Sequence, residues 1–409
     1  MPSKIIYTPP PDKSITIRCL VIASLVGKKI NIKNPLYCSD TLYTIKNLEK
    51  LGCCVRKNKS SITIKGPGLY GYRKNIVIDV GESALFLRLI LAVLLNQNSR
   101  YIIKGRKTIL RRDFSDTLIP LIKLGAKIKH NNYHLPFKIY PSNLKNESFK
   151  TTSAQTKSML MMLSLYKKGI KIKEDKKTRD HTENIMRYMG VEIKEKNCWI
   201  EIEGNLKKRN LEVCGDFSSA APFIVISVIK KLSIKIKNCI INTKRIGLLR
   251  LIENMGVEVI FKNTKEVMNE KVSDIIINPP QILKSAVVKD ITDMIDEFML
   301  AAILLSYALG KSTLYVEKTL SNKESDRILL TIEILKKMNT FKKYDSKKIE
   351  IVGGNPQKIK FIDTHSDHRA AMAGGVLKII NNPSIKISDT KCVSKTYPNF
   401  WKDIKRYFC

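Results

Sequence analysis

The sequence predicts an α/β protein built from a repeated strand–helix–strand unit, and three observations predict it. First, helical stretches end in an apolar residue plus Gly, followed by a short strand-like run: LGCCV at Leu51, LGAKI at Leu124, MGVEI at Met189 and MGVEV at Met255. The glycines are Gly52, Gly125, Gly190 and Gly256, at spacings of 73, 65 and 66 residues, and Asn339 in KKMNTFKKY takes the same place 83 residues on. A residue just past a helix adopts the left-handed conformation, which Gly tolerates best and Asn next. Second, the stretches before these glycines carry apolar residues at helical spacing. Third, β-branched runs lie between them. Repeats this long are whole supersecondary units rather than solenoid modules, and alternating strands and helices favour helices packed on sheets.

The elements follow in order. Asp40–Leu51 reads as a helix because Leu42, Ile45, Leu48 and Leu51 recur every three residues. Thr182–Met189 and Gly247–Met255 behave likewise, and Ser61–Lys65, Asn75–Val80 and Val257–Phe261 read as strands. No linker composition marks a domain boundary. At 409 residues, two or three domains are expected.

Composition excludes several classes. With 44% hydrophobic residues the chain can build cores. The two longest apolar runs, Ala84–Leu95 and Phe298–Leu309, are 12 residues long, too short to span a membrane. The opening MPSKIIYTPPPDK has no apolar segment of the kind a signal peptide needs. Nine cysteines without a CxxC pair, and five histidines, disfavour a disulfide scaffold or zinc module, and a reducing cytoplasm fits. The net charge of +36 allows nucleic-acid binding, an enzyme for very anionic substrates, or a lysine-rich genome. The lysines are spread along the chain rather than gathered in a stripe, which weakens the first.

Seven motifs could carry chemistry. PPDKSITIR offers Lys13, Ser14 and Arg18 to one anion, although alone it reads as a solvated helix start. VGESALFLRL sets Arg88 in an apolar face, where it needs an internal carboxylate or a ligand anion. SAQTKS opens a helix with Ser153 as cap, and its free N–H groups suit a phosphate. KKTRDHTE follows, with Arg179 beside His181, which reads as structural. In ITDMIDEF, Thr292 or Asp293 can cap a helix whose first turn then holds Asp296 and Glu297. NKESDR contributes Lys323, Glu324, Asp326 and Arg327, SDHRAAMAGG contributes Asp367, His368 and Arg369, and KCVSKTYPNFW contributes Lys395.

Taken together, in this order from Lys13 to Lys395, the motifs resemble the 5-enolpyruvylshikimate-3-phosphate (EPSP) synthase family, with SAQ-x-KS and TRDHTE closer to its second subgroup. GDFSSAA at Gly215–Ala221 and the NTKRIG turn at Asn242 also look like that family. The resemblance implies two similar domains, each of three βαβαββ repeats in an inside-out α/β barrel, with the active site in the cleft between them. The domains would be 14–213, and 1–13 plus 214–409. It implies transfer of the enolpyruvyl group of phosphoenolpyruvate to the 5-hydroxyl of shikimate 3-phosphate, with release of phosphate. The two substrates together carry about six negative charges, which suits the recurring cations.

By that resemblance, Lys13, Ser14, Arg18, Ser153, Ala154, Gln155, Arg179, Asp296 and Lys323 hold shikimate 3-phosphate. Lys13, Ala84, Arg88, Arg112, Gln155, Arg327, Arg369 and Lys395 surround phosphoenolpyruvate. Asp296, Glu324 and Lys13 are the catalytic residues, with Asp296 taking the hydroxyl proton and Glu324 delivering one to C3. No metal, cofactor, nucleic-acid or membrane partner is implied, and the enzyme is expected to be a cytoplasmic monomer. Some residues depart from the family pattern. The first strand is expected to be short or absent, Pro11 replaces a usual Gly, and Asp113 follows Arg112 where Pro is common. Ala84 replaces a frequent Gly, which predicts tolerance to glyphosate. The nearest rival family, UDP-N-acetylglucosamine enolpyruvyl transferase, carries a reactive Cys near this region, and GRKTILRRD has none. A basic nucleic-acid-binding protein would interleave aromatics with its cations, but aromatics are 7%. A decayed, inactive member would have lost charged motif positions, and all are intact.

Overall fold

A computed structural model describes residues 5–409. In chain order come strand β1 (Ile5–Tyr7), helix α1 (Lys13–Ser24), β2 (Ile30–Lys33), α2 (Ser39–Lys50), β3 (Cys54–Lys57) and β4 (Ser61–Lys65). Next are β5 (Val77–Asp79), α3 (Ala84–Leu94), β6 (Tyr101–Lys104), α4 (Ser115–Lys123), β7 (Lys127–Asn131) and β8 (His134–Tyr140). Then β9 (Ser148–Lys150), α5 (Ala154–Ser164), β10 (Lys171–Lys173), α6 (His181–Tyr188), β11 (Glu192–Lys196), β12 (Trp199–Glu203) and β13 (Leu211–Glu212). They are followed by α7 (Phe217–Ile229), β14 (Ile234–Ile240), α8 (Gly247–Asn254), β15 (Glu258–Val267) and β16 (Glu270–Asn278). The chain continues with β17 (Val287–Val288), α9 (Phe298–Ser306), β18 (Gly310–Tyr315), α10 (Arg327–Lys337), β19 (Phe341–Tyr344) and β20 (Lys348–Gly353). It ends with β21 (Phe361–Ile362), α11 (His368–Ile380), β22 (Lys386–Ile387) and α12 (Phe400–Phe408).

One sheet pattern recurs. In β5–β6–β8–β7 the first two strands are parallel, joined across α3, and the hairpin of β7 and β8 completes the sheet antiparallel. The sheets β9–β10–β12–β11 and β17–β18–β20–β19 repeat it. β2–β4–β3 takes its parallel edge from β13, with Leu211 opposite Ile32. β1 pairs instead with β14, Ile5 opposite Ile234, at the edge of β14–β16–β15. Thus the βαβαββ unit is complete five times. The sixth copy differs: β21 and β22 form a two-stranded sheet, and the chain closes with α12 where the others form a hairpin. The first strand, expected to be short or absent, is present and three residues long; the part of that expectation falling on residues 1–4 lies outside the described residues.

The five predicted helix stops share one hydrogen-bond pattern. Gly52 donates to the Glu49 carbonyl and Cys53 to that of Leu48, and the pairs Gly125–Ala126, Gly190–Val191, Gly256–Val257 and Asn339–Thr340 do the same at their helices. Gly52 has φ +103° and Asn339 φ +56°, the left-handed turn this Schellman closure needs.

The chain divides into two compact units. The first comprises Pro11–Val213 with Val267–Glu270, and the second the described part of Met1–Pro10 with Cys214–Glu266 and Lys271–Cys409. Within each unit, helices of two kinds occur. α1, α3, α5, α7, α9 and α11 are buried over nearly their whole length; every residue of α3 from Ala84 to Leu94 is buried. Sequences apolar all round belong inside. α2, α4, α6, α8 and α10 bury one face only. In the second unit, β1 joins the core through Tyr7, whose ring stacks on Phe223 at 4.0 Å and whose hydroxyl lies 2.7 Å from the Tyr397 hydroxyl. Among the described residues no helix is long and apolar enough to cross a membrane.

Candidate active site

The motifs sit mostly at the starts of the buried helices. Asp12 caps α1 by accepting from Ile15 N, Ser83 caps α3 from Phe86 N, Ser153 caps α5 from Thr156 N, Asp216 caps α7 from Ser218 N, and Asp367 caps α11 from Arg369 N. A buried helix start must satisfy its first N–H groups locally, which is why Asp and Ser stand there. α9 is the exception. It begins at Phe298, so Asp296 and Glu297 lie ahead of the helix rather than in its first turn. Thr292 does not cap it either, because its N–H and hydroxyl both donate to Asp290, forming a turn.

In the first unit, α1 is not a solvated helix start: Ile15 to Ser24 are all buried and Arg18 is 3% exposed. Lys13 Nζ donates to Asp40 Oδ2 at 2.9 Å. Arg18 Nε donates to Thr182 Oγ1 at 2.8 Å, Nη2 to Ser158 Oγ at 3.1 Å and Nη1 to the Ser14 carbonyl at 3.1 Å. Arg88 meets the requirement of a buried guanidinium with Asp116, donating from Nη2 to both oxygens at 2.9 and 3.0 Å, and Nη1 donates to Gln155 Oε1 at 2.9 Å. Burial pushes the Asp116 carboxyl up, but the Arg88 charge and hydrogen bonds from Thr117, Arg88 and Thr156 outweigh it and hold the carboxyl below its usual range. The Arg88 and Arg112 guanidinium carbons lie 5.2 and 5.8 Å from the Phe114 ring centre, so Arg88, Arg112 and Gln155 form one cluster. Ala84 opens α3 and is buried, and its carbonyl accepts from Arg88 Nη1 at 3.4 Å. Ala154 opens α5 directly after the Ser153 cap. Arg179 lies on the connection from β10 to α6. His181 is buried with Nδ1 2.7 Å from Glu270 Oε1, a structural role.

In the second unit, Arg327 organises the rest. It is 2% exposed at the first position of α10. Nε donates to Asp367 Oδ2 at 2.9 Å, Nη2 to Glu324 Oε2 at 2.9 Å and Nη1 to Asp296 Oδ1 at 3.3 Å. Burial alone disfavours its charge, but Asp367, Glu324 and Asp296 together reverse that and hold it protonated. Glu324 Oε1 also accepts from Lys395 Nζ at 3.2 Å, with His368 Nδ1 at 3.7 Å. Arg369 Nη2 lies 3.9 Å from Asp296 Oδ2, and Nη1 donates to the Ser218 carbonyl at 3.3 Å. Lys323 is partly buried beside Glu324 in the loop before α10. Both candidate carboxylates share the Arg327 guanidinium, with Arg369 also beside Asp296 and Lys395 beside Glu324. Glu324, Asp367 and His368 also offer atoms within 4.8 Å of one another. Arg327 and Lys395 already occupy the carboxylates, so the group reads as an ion-pair network rather than a metal centre.

Sequence reasoning missed the partners. Asp40, Asp116, Ser158 and Thr182 each hold a motif cation from another element, and nothing local distinguishes Asp116 in DFSDTL from a surface acid. Ser158 and Thr182 do fall inside SAQTKS and TRDHTE, which was the available signal.

The comparisons with known proteins extend over nearly the whole chain. The family model described as EPSP synthase (3-phosphoshikimate 1-carboxyvinyltransferase) matches residues 3–404. A 3-phosphoshikimate 1-carboxyvinyltransferase of Aquifex aeolicus is 32% identical over 409 residues, covering 97% of this chain and 95% of its own. One from Campylobacter concisus is 33% identical, covering 97% and 93%. The solved EPSP synthase of Acinetobacter baumannii superposes with a TM-score of 0.83 at 27% identity, over 99% of this chain and 96% of its own. With helix-start motifs, clustered arginines and paired carboxylates all present, this chain belongs to the EPSP synthase (3-phosphoshikimate 1-carboxyvinyltransferase) family.

Proposed function

We propose that this chain transfers the enolpyruvyl group of phosphoenolpyruvate to the 5-hydroxyl of shikimate 3-phosphate, and that its motif residues divide the work between binding and proton transfer. The observation that carries the division of labour is the pair Asp296 and Glu324, held on one buried guanidinium at 3.3 and 2.9 Å. The reaction is an addition followed by an elimination. Asp296 takes the proton of the 5-hydroxyl as its oxygen bonds to C2 of phosphoenolpyruvate, and Glu324 delivers a proton to C3. The C2–O bond to phosphate then breaks, C3 gives its proton back to Glu324, the proton held by Asp296 passes to the departing phosphate, and the enol ether and inorganic phosphate remain. Charge is the binding problem. Ser14, Arg18, Ser153, the Ala154 backbone, Gln155, Arg179 and Lys323 would hold shikimate 3-phosphate. Lys13, Arg88, Arg112, Arg327, Arg369 and Lys395, with Ala84 at the wall, would surround phosphoenolpyruvate, using guanidinium forks on phosphate and carboxylate.

Phosphate release tests the reading. Purified protein with both substrates should release one phosphate per enolpyruvyl ether detected by mass spectrometry, and omitting either substrate should abolish release. Release that ignores shikimate 3-phosphate would instead indicate a phosphatase side reaction. The reading takes the enzyme as a monomer, which light scattering at assay concentration checks.

A further inference from the structure

Lys157 lies two residues beyond Gln155 on α5 and is completely buried. Its Nζ donates to Glu174 Oε2 at 3.0 Å, lies 2.7 Å from Glu183 Oε1, and reaches the Thr178 carbonyl at 3.5 Å. Both carboxylates are buried as well. Burial works against the Lys157 charge, but Glu183 and Glu174 outweigh it and keep the ammonium protonated. Glu174 in turn accepts from Thr178 N at 2.8 Å and from the Thr178 hydroxyl. Glu174 opens the connection from β10 to α6, Glu183 lies just beyond it on α6, and Arg179 is on that connection. One ammonium thus ties both ends of the loop to the helix that carries Ser153 and Gln155. The adjacent residue on each helix, Ser158 after Lys157 and Thr182 before Glu183, adds a second tie: Thr182 Oγ1 donates to Ser158 Oγ at 2.7 Å and accepts from Arg18 Nε at 2.8 Å. A buried ion cluster is a poor way to gain stability, because apolar residues of the same volume often serve as well. It is a good way to hold two backbone segments in one register.

We infer that Lys157, acting through Glu174 and Thr178, is a positioning residue that holds the 174–180 loop against α5 and so sets Arg179 for the phosphate-bearing substrate. This rests on the reading of shikimate 3-phosphate as the ligand of Arg179. Removing the tie leaves the proposed acid–base residues untouched, so it should weaken binding of that substrate without slowing turnover.

Three full-length variants test it: Lys157→Met, Thr178→Val and Thr178→Ser. Titration calorimetry with shikimate 3-phosphate reads its Kd, and phosphate release with each substrate varied reads KM and kcat. Lys157→Met and Thr178→Val should raise Kd and KM for shikimate 3-phosphate about five- to tenfold, with kcat and the KM for phosphoenolpyruvate within about twofold. Thr178→Ser, which keeps the hydroxyl, should return both to wild-type values. If Lys157→Met leaves the soluble fraction, the two Thr178 variants decide alone, since neither strands a charge. An unchanged Kd in Thr178→Val overturns the inference, as does an equal weakening in Thr178→Ser. Wild-type protein that binds shikimate 3-phosphate without releasing phosphate refutes the proposed reaction but leaves the Kd comparison intact. Wild-type protein that binds no shikimate 3-phosphate overturns both.

Discussion

Asp367→Asn removes one charge from the Arg327 network and nothing else of size. Asp367 is wholly buried and Arg327 is 2% exposed, with Nε to Oδ2 at 2.9 Å and Nη2 to Oδ1 at 3.4 Å. Deleting one partner of a buried pair typically costs about 3–5 kcal/mol. Two features reduce that here. Arg327 retains Glu324 at 2.9 Å and Asp296 at 3.3 Å, so its charge is not stranded. Asn caps helices as well as Asp, so its Oδ1 can still accept from Arg369 N, 2.7 Å away. One feature restores a cost: with Oδ1 committed there, the amide NH2 must face Arg327 Nε, donor against donor, although Ser325 Oγ can turn to accept from it. A loss of roughly 2–3 kcal/mol follows, below the full range for a stranded partner. For a unit of this size that is a fall in apparent Tm of about 4–12 °C, at roughly 2–4 °C per kcal/mol. Scanning calorimetry of wild type and variant at pH 7 measures it. The same change frees Arg327 from its fixed direction, so the KM for phosphoenolpyruvate should rise. A Tm shift under about 2 °C with an unchanged KM would show that Asp367 neither anchors nor aims Arg327.

Three other outcomes follow from the site. Asp296→Asn and Glu324→Gln should each lower kcat by about 100-fold or more with unchanged circular dichroism, because acid–base groups contribute about that much; near-normal turnover in either removes its role. Asp116 is held below the ordinary carboxylate value of about 3.9, so its contribution to stability is complete above that value and is lost as pH falls through the lowered one. Between pH 5 and 3 the Tm of Asp116→Asn should therefore fall less steeply than that of wild type, and parallel curves would refute the coupling to Arg88. Ala84→Gly should increase inhibition by glyphosate about 5- to 150-fold, the range of an overpacking cost of roughly 1–3 kcal/mol; equal inhibition constants would show that the methyl does not reach the inhibitor.

What was legible in the sequence follows a physical division. Helix stops were legible because they are local: a residue past the last turn must turn left-handed, and Gly52, Gly125, Gly190, Gly256 and Asn339 do. Motif order was legible because it marks helix starts that must be capped from within a few residues. The start of α9 was misread for the same kind of reason. ITDMIDEF holds several residues able to cap, and a turn closed by Asp290 on Thr292 won over the helix, which no pattern in the segment decides. The partners of the cations were not legible at all. Arg88 finds Asp116 across 28 residues, Lys13 finds Asp40 across 27, and Arg18 finds Thr182 across 164. Those distances are spanned by helix stacking within the first unit: α2 brings Asp40 to Lys13, α4 brings Asp116 to Arg88, and α6 brings Thr182 to Arg18.

That stacking explains why a chain so rich in lysine uses arginine at its motif centres. A buried helix start offers its cap to the backbone, so any cation beside it must find a carboxylate on another element while reaching further acceptors beside it. A guanidinium has five N–H groups in a fixed plane and can do both. Arg327 contacts three acids and Arg88 contacts Asp116 and Gln155 at once. Lysine, a point charge on a flexible stem, stands at Lys13 against Asp40 and at Lys395 against Glu324, and is fully buried at Lys157, where two acids close around it. The arginines thus spread their donors over groups from several elements, whereas Lys157 concentrates its charge on Glu174 and Glu183.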